Sequence, residues 1–418
     1  MTKDMNMAEL VALVTESAAR IAKKLLESRL EEDPRRNPAK PVCSKCKNKL
    51  RIQEPDQRRS INTALGEIEY SRAYGVCDRC GHTAAPLDEA LGIPVHGPSV
   101  EALQKICHAA VVGRSFDDGR EILNVQARIQ ISAKHVRSIA EAEGRDLNET
   151  VRVETAAYRE CRLDVGCAQT PELLVVAADG GRVQTRNEES GERWREDKIG
   201  IVYDAQAKPQ VQAAPGEYEG ACALTKTYTA TMENWETLGW RLRLEAERRG
   251  YAGAKAKVFI ADGARHIREL KEFQFPEAVF VLDWAHAVQH LSDCAKAAFG
   301  EGSREYWKWY EKHKKMLWEG RSEDIIKSLL RLSERIGPPE EGEPEMSPRR
   351  TLYQNAHSYF PNNRDAINYP YFRAQGWPIG SGVAEGAIKQ FSLRMKGSEK
   401  FWNVADSGAE EMLALCAL

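Results

Sequence analysis

Three apolar runs each stop at an aspartate, and that repetition limits the folds open to the chain. Leu173–Ala178 stops at Asp179-Gly180-Gly181, Ala256–Ala261 at Asp262-Gly263, and Ala278–Leu282 at Asp283-Trp284-Ala285-His286. Their length and β-branching read as buried strands, and Asp-Gly is turn chemistry that ends the first two. Residues 182–187 and 194–204 read as two strands following the first, and Trp235–Glu247 as a helix. The order is then three strands, a helix, a strand, a helix and a strand. That is the order of a ribonuclease H-like α/β fold with a mixed five-stranded sheet. Ligands of open α/β sheets gather at the carboxyl ends of strands, where Asp179 and Asp262 are expected.

Past His286 the pattern turns helical over 287–376 and carries Trp307, Trp309, Trp318 and the lysines of 312–315. Pro338–Pro344 reads as a polar loop within it, and the tryptophans read as packing surface rather than base-stacking platforms. Gly380-Ser381-Gly382 then breaks the chain and starts a helix, with Ser381 as its cap, Glu385 on its first turn and Lys389 one turn later. A Glu-Lys pair at that spacing also has a plain use as an exposed i,i+4 pair. Asp179, Asp262 and Glu385 together suggest a different use. Breaking a phosphodiester needs an activated attacking oxygen and a stabilised leaving oxygen, in line across phosphorus. Two Mg²⁺ (or Mn²⁺) ions about 4 Å apart supply both, and carboxylates are their hard ligands. Asp179 would bridge both ions, with Asp262 on one and Glu385 on the other.

The amino-terminal third has another signature. Four of the ten cysteines form Cys43-Ser-Lys-Cys46 and Cys77-Asp-Arg-Cys80, about 30 residues apart. Two such knuckles supply four thiolates to one structural Zn²⁺ in a zinc ribbon; a redox dithiol is the lesser alternative. Ser60–Tyr74 alternates as a hairpin that would bring the knuckles together, and Gly81 supplies the turn after the second. Between Arg35 and Arg59 there are nine Lys or Arg against Glu54 and Asp56, including Lys45, Lys47, Lys49, Arg58 and Arg59. Such a face can track a phosphate backbone, and it equally suits a solvated surface. Ser115–Asn124 and Ile131–Glu141, the latter capped by Ser132, read as two short helices resembling a helix-turn-helix. Lys134, His135 and Arg137 would lie on or near the exposed face of the second.

The organisation is thus an amphipathic helix (1–34), a zinc ribbon (35–96), a helix-turn-helix-like region (97–155), the first part of the catalytic core (160–286), a helical insertion (287–376) and a last core segment bearing the Glu (377–418). A net charge of −2 gives no global pull towards nucleic acid, so any such contact must be local. No apolar run approaches the roughly 20 residues of a membrane helix. The first 28 residues carry acids and lysines through their apolar stretch, unlike a signal peptide, which points to the cytoplasm.

On these residues the chain resembles insertion-sequence DDE transposases of the ISKra type. The resemblance covers the paired Cys-x-x-Cys, Pro86–Gly92, Ala178–Gly180, Trp194–Gly200, Ala261–Ala264 and Leu282–His286. It is densest over Phe372–Glu385, Lys389, Arg394-Met-Lys396 and Trp402. His266 departs from it, standing where the family pattern has Trp, and the pattern would continue beyond Leu418 with an Arg and a short tail. The resemblance implies a ribonuclease H-like core with a helical insertion, cutting and joining transposon ends through Asp179, Asp262 and Glu385. It also implies contact with transposon-end and target DNA by Lys389, Arg394, Lys396 and Trp402, a homo-oligomer on DNA, and a nucleoid-associated place in a bacterial cytoplasm. Asp283 and His286 match an auxiliary (C/D)-x-x-H element, and Asp283 rivals Asp262 as the second ligand. Two alternatives are an inactive or domesticated copy that only binds DNA, and a structure-directed nuclease on the same fold.

Overall fold

The computed structural model describes residues 5–167, 170–186, 193–397, 400–403 and 408–418. The chain forms two compact units, Met1–Glu143 and Gly144–Leu418. Among the described residues, no helix is long and apolar enough to cross a membrane.

In the first unit, α1 (Met7–Glu32) starts at a capping box in which Asn6 and Glu9 satisfy each other's backbone amides. β1 (Arg51–Thr63) and β2 (Gly66–Val76) form the expected antiparallel hairpin, longer than the alternation suggested, and β3 (Thr83–Ala84) adds to β2. α2 (Pro86–Leu91) follows. Leu30, Ile61, Ile68, Tyr70 and Leu87 form a small core between α1, the hairpin and α2. Beside it the buried Asp88 accepts from Tyr70 Oη at 2.7 Å, Arg59 Nη1 at 2.6 Å and Arg72 Nε at 2.9 Å. α3 (Val100–Val112) and α4 (Phe116–Ile122) come next, with Ser115 capping α4. α5 is capped by Ser132 as expected, but it runs from Ala133 to Arg159 rather than ending near 141. Gly144 is no stop signal: a Cβ there would strike the Glu411 backbone, so the glycine serves close packing within the second unit.

The second unit holds a mixed sheet. Its strands are β4 (Leu173–Arg186), β5 (Trp194–Gln206), β6 (Cys222–Thr231), β7 (Ala256–Ala261) and β8 (Val279–Leu282), in the order β6-β5-β4-β7-β8. β5 is antiparallel to β4 and β6, while β7 is parallel to β4 and β8 to β7. Two expectations are corrected. Residues 182–186 continue β4 instead of forming a second strand, so Asp179 lies within a strand; the third strand is β6, a polar edge. Asp-Gly-Gly read as a turn, yet Gly180 and Gly181 are extended and kept bare by their neighbours. A Cβ on Gly180 would lie 2.8 Å from Glu196 Oε1, and one on Gly181 would lie 2.6 Å from Asp197 Oδ1.

α6 (Trp235–Arg248) and α7 (Arg265–Gln274) connect β6 to β7 and β7 to β8. α8 (Trp284–Phe299), α9 (Arg304–Trp318), α10 (Ser322–Ile336), α11 (Pro348–Gln354), the short α12 (Phe360–Asn362) and α13 (Tyr369–Gln375) make the helical region. It is tied to the strand ends by three bonds: Tyr369 Oη to Leu282 O at 2.9 Å, Tyr359 Oη to Asp262 O at 2.8 Å, and Asn363 Nδ2 to Gly263 O at 3.2 Å. Trp318 is buried under the Arg373 guanidinium and Trp309 stacks on His313, as packing residues do; Trp307 is exposed. α14 (Gly382–Met395), β9 (Trp402–Asn403) and α15 (Gly408–Ala417) complete the unit, β9 running parallel to the far end of β4.

Candidate functional site

The sulfurs of Cys43, Cys46, Cys77 and Cys80 all lie within 4.8 Å of one another. Sγ–Sγ separations of 3.7 Å (Cys43–Cys80) and 3.4 Å (Cys46–Cys77) are near the roughly 3.8 Å edge of a tetrahedron with zinc–sulfur bonds of about 2.3 Å. The two knuckles share one backbone design. Lys47 N donates to Cys43 O and Gly81 N to Cys77 O, and both residues are left-handed, at φ 60° and 71°. The Asn48 amide, 3.5 Å from Cys46 Sγ, holds that thiol down to about 6, while the neighbouring thiols push Cys80 up. The four cysteines could therefore hold an ion such as zinc.

In the second unit the register aligns three acids. Ala177 pairs with Ile260, so two residues on Asp179 is level with Asp262; Ala261 pairs with Leu282, so one residue on Asp262 is level with Asp283. Neighbouring strands are about 5 Å apart, so the three aspartates form a row across the sheet. Each has its own surroundings. Burial pushes the Asp179 carboxyl up; its bond from Gly180 N at 2.7 Å opposes this, the Asp262 charge adds to it, and His286 and Lys396 pull it back. Asp262 accepts from Ala264 N at 2.8 Å, fixing the turn into α7. Asp283 is fully buried and caps α8. Its Oδ1 takes His286 N at 2.8 Å and lies 3.0 Å from His286 Nδ1, while Oδ2 takes Ser381 N at 2.5 Å. Burial alone would raise Asp283, but these bonds hold it below its ordinary value. His286 is raised, first by its bond to Asp283 and then by the charges of Asp283, Asp262 and Asp179.

Asp283 also positions α14. Through Ser381 N, and through Trp284 N to Ile379 O at 2.8 Å, the Pro378–Gly382 loop is pinned to the end of β8. Glu385 is on the first turn as expected, but its carboxylate is exposed, with Ser381 Oγ at 3.4 Å. Ser381 occupies the cap position without capping through its side chain, because its hydroxyl faces Glu385. The acids are not gathered tightly: among the described residues, the four cysteines are the one group of three or more ligating side chains close enough to hold a metal. Like-charged carboxylates stand apart unless a cation draws them in.

The expected DNA-facing residues divide. Lys45, Lys47, Lys49, Arg58, Lys134 and Lys389 are exposed. Arg137 is paired with Glu141 at 2.7 Å. Arg59 is turned inward to Asp88 and the Pro94 carbonyl. Arg394 and Trp402 are buried, the guanidinium 5.2 Å from the indole ring and Trp402 Nε1 bonded to Met395 O at 2.8 Å. Lys396 points towards the acids, 3.9 Å from Asp197 Oδ1.

Asp197 is the residue that sequence reading missed. It is 0 % exposed, and among the described residues neither carboxylate oxygen has a hydrogen-bond partner. Its signal was present: Asp197, Ile199, Ile201 and Tyr203 share one face of β5 at period two, an acid leading three buried apolar residues.

Residues 1–418 match UPF0236, described as an uncharacterised protein family. Among curated proteins, none matches the sequence. Of solved structures, the "Drosophila P element transposase strand transfer complex" is similar at 8 % identity, covering 79 % of this chain and 94 % of that one, with a TM-score of 0.33. A likeness that slight assigns neither fold nor activity.

Proposed function

Because the chain belongs to UPF0236, whose description carries no activity, we propose its function from the site: a DDE-type DNA transposase that cuts and joins DNA at a divalent-metal centre. The observation that carries this reading is the row of Asp179, Asp262 and Asp283 at one level of three neighbouring parallel strands. The sheet order agrees with a ribonuclease H-like core, whose first and fourth strands are adjacent and bring two acids side by side. Asp179 and Asp262 offer the hard oxygen donors that Mg²⁺ or Mn²⁺ takes, and the raised Asp179 is an acid that gains from a cation. Bound there, two such ions supply activation of the attacking oxygen and stabilisation of the leaving one.

The remaining roles fall to the chain's own groups. Asp283 has its oxygens committed to His286 and Ser381, which favours Asp262 as the second ligand and gives Asp283 the work of orienting His286 and α14. His286, held towards its charged form, places a cation beside the acids where a phosphate would lie. Glu385 completes the set by turning inward from the first turn of α14 when metal and DNA are present. The cysteine centre carries structural zinc, and the lysines around it, with Arg58, track the backbone of transposon-end DNA. The protein works as a homo-oligomer on DNA in the nucleoid.

A second reading, a DNA-binding protein without catalysis, is favoured by the exposed Glu385, which is not gathered with the aspartates. The two part in one assay. Nicking and strand transfer are measured with Mg²⁺ or Mn²⁺ on DNA carrying the element's own flanking ends, for wild type and Asp179→Ala. The transposase reading expects cleavage and joining that the variant loses while end binding stays. Binding without cleavage in both proteins selects the second reading, and cleavage without joining selects a nuclease.

A further inference from the structure

Asp179, Gly181 and Asp197 lie on one face of the sheet. Gly181 pairs with Asp197 across the β4–β5 ladder, and residues two apart on a strand point the same way. The missing Gly181 side chain leaves a hollow, and the Lys396 ammonium fills it: a Cβ on Gly181 would overlap Nζ and lie 2.6 Å from Asp197 Oδ1. That ammonium, carried at the end of α14, therefore stands beside Asp197. It acts on Asp179, and it lies 3.9 Å from Asp197, an ion pair too long to be a hydrogen bond. Asp197, wholly buried, keeps both oxygens without a hydrogen-bond partner among the described residues. A buried carboxylate in that condition is costly unless something comes to occupy it. The neighbouring Lys198 alternates to the other face, where it pairs with Glu196 at 3.2 Å and lies 5.9 Å from the Trp235 ring. Among the described residues, Lys396 is the cation that forms an ion pair with Asp197.

We propose that Asp197 is a positioning residue for Lys396: it holds the ammonium beside the acid row and off the Asp179 carboxylate, leaving that carboxylate to a divalent cation. The inference rests on the metal reading of Asp179. It gives a reason for a buried acid with open oxygens, for a glycine opposite it, and for a lysine turned to that acid in the hollow the glycine leaves. No bond is made or broken, and net charge in the pocket rises only by that of the arriving cation. Without Asp197 the ammonium is free to turn to Asp179 and competes with the metal.

The test is calorimetric titration of Mn²⁺ into the zinc-loaded, full-length protein, for wild type, Asp197→Asn, Lys396→Met and the double variant, each first shown to unfold cooperatively. Asp197→Asn should weaken Mn²⁺ binding about tenfold, Lys396→Met should strengthen it, and the double variant should bind like Lys396→Met, since Asp197 acts only through the lysine. Equal affinity in wild type and Asp197→Asn overturns the inference and leaves the metal reading intact. A loss that persists in the Lys396→Met background also overturns it, by giving Asp197 an effect of its own. Wild-type protein that takes up no Mn²⁺ overturns the metal reading and the inference with it. Rescue in Asp197→Glu, which keeps the charge one methylene further out, is the result a merely structural role would not give.

Discussion

Gly263 stands at φ +82° directly after Asp262, and a Cβ there would lie 2.5 Å from Leu282 Cδ1 and 2.8 Å from Asn363 Nδ2. Gly263→Ala should therefore cost about 2 kcal/mol, combining left-handed strain with overlap, and urea unfolding will read it. The Asp283–His286 pair makes a pH prediction. The folded value of Asp283 is lowered, so its contribution is present above the ordinary 3.8 and is lost as pH falls through the lowered value. The folded value of His286 is raised, so its contribution is full below the ordinary 6.5 and is lost as pH rises through the raised value. The melting-temperature gap between wild type and His286→Gln should be widest near pH 5, at about the middle of that window, and should narrow on the alkaline side. A gap independent of pH would mean that the imidazolium plays no part. Residue types alone showed the cysteines, Asp179, Asp262, Asp283 and His286, because each ends or punctuates a run. They could not show that Asp283 spends both oxygens on a helix cap and a distant loop, nor that Arg394 and Trp402 pack on each other, since these depend on contacts across many residues.

At the scale of elements, the hairpin of the first unit depends on one buried acid. Asp88 receives Arg59, Arg72 and Tyr70, with side chains of the two arginines and the acid almost wholly enclosed. Asp88→Ala would leave two guanidinium groups buried without their partner, a loss of about 3–5 kcal/mol measurable by thermal or chemical unfolding. A change under about 1 kcal/mol would mean that the arginines find water instead. The knuckles lend themselves to a separate check. Cys77→Ser should lower bound zinc from one per chain towards none and expose the hairpin to proteolysis, whereas an unchanged zinc content would remove the cysteine centre from the account. Helix starts were legible at Ser115 and Ser132, where a serine stands before a polar-apolar rhythm. Strand extents were less so. Asp-Gly-Gly looked like the end of β4 because turn chemistry and close packing call for the same residue, glycine. β6 escaped notice because Lys226 and its neighbouring threonines give an edge strand little apolar alternation.

At the scale of the whole molecule, the chain supplies a sheet whose parallel ends line up acids and a helix, α14, leading from Asp283 back towards β4. The buried Asp197 shows where sequence reasoning stops: an acid inside a strand looks like ordinary alternation until its pairing with Gly181 and its distance to Lys396 are known. The exposed Glu385 is the second limit, since its place on the helix was legible but its exposure was not. Both matter because the account centres on one claim, that the acid row holds divalent metal. Because Asp179 must ionise to take a cation and burial raises it, Mn²⁺ affinity should climb with pH through the raised value, and calorimetry in two buffers will show proton release. The most direct measurement is anomalous diffraction from crystals of the zinc-loaded protein soaked in Mn²⁺. The account predicts manganese between Asp179 and Asp262 with Asp283 unchanged on His286, and loss of that peak in Asp179→Asn. Manganese bound only at exposed carboxylates, with none in the row, would contradict it.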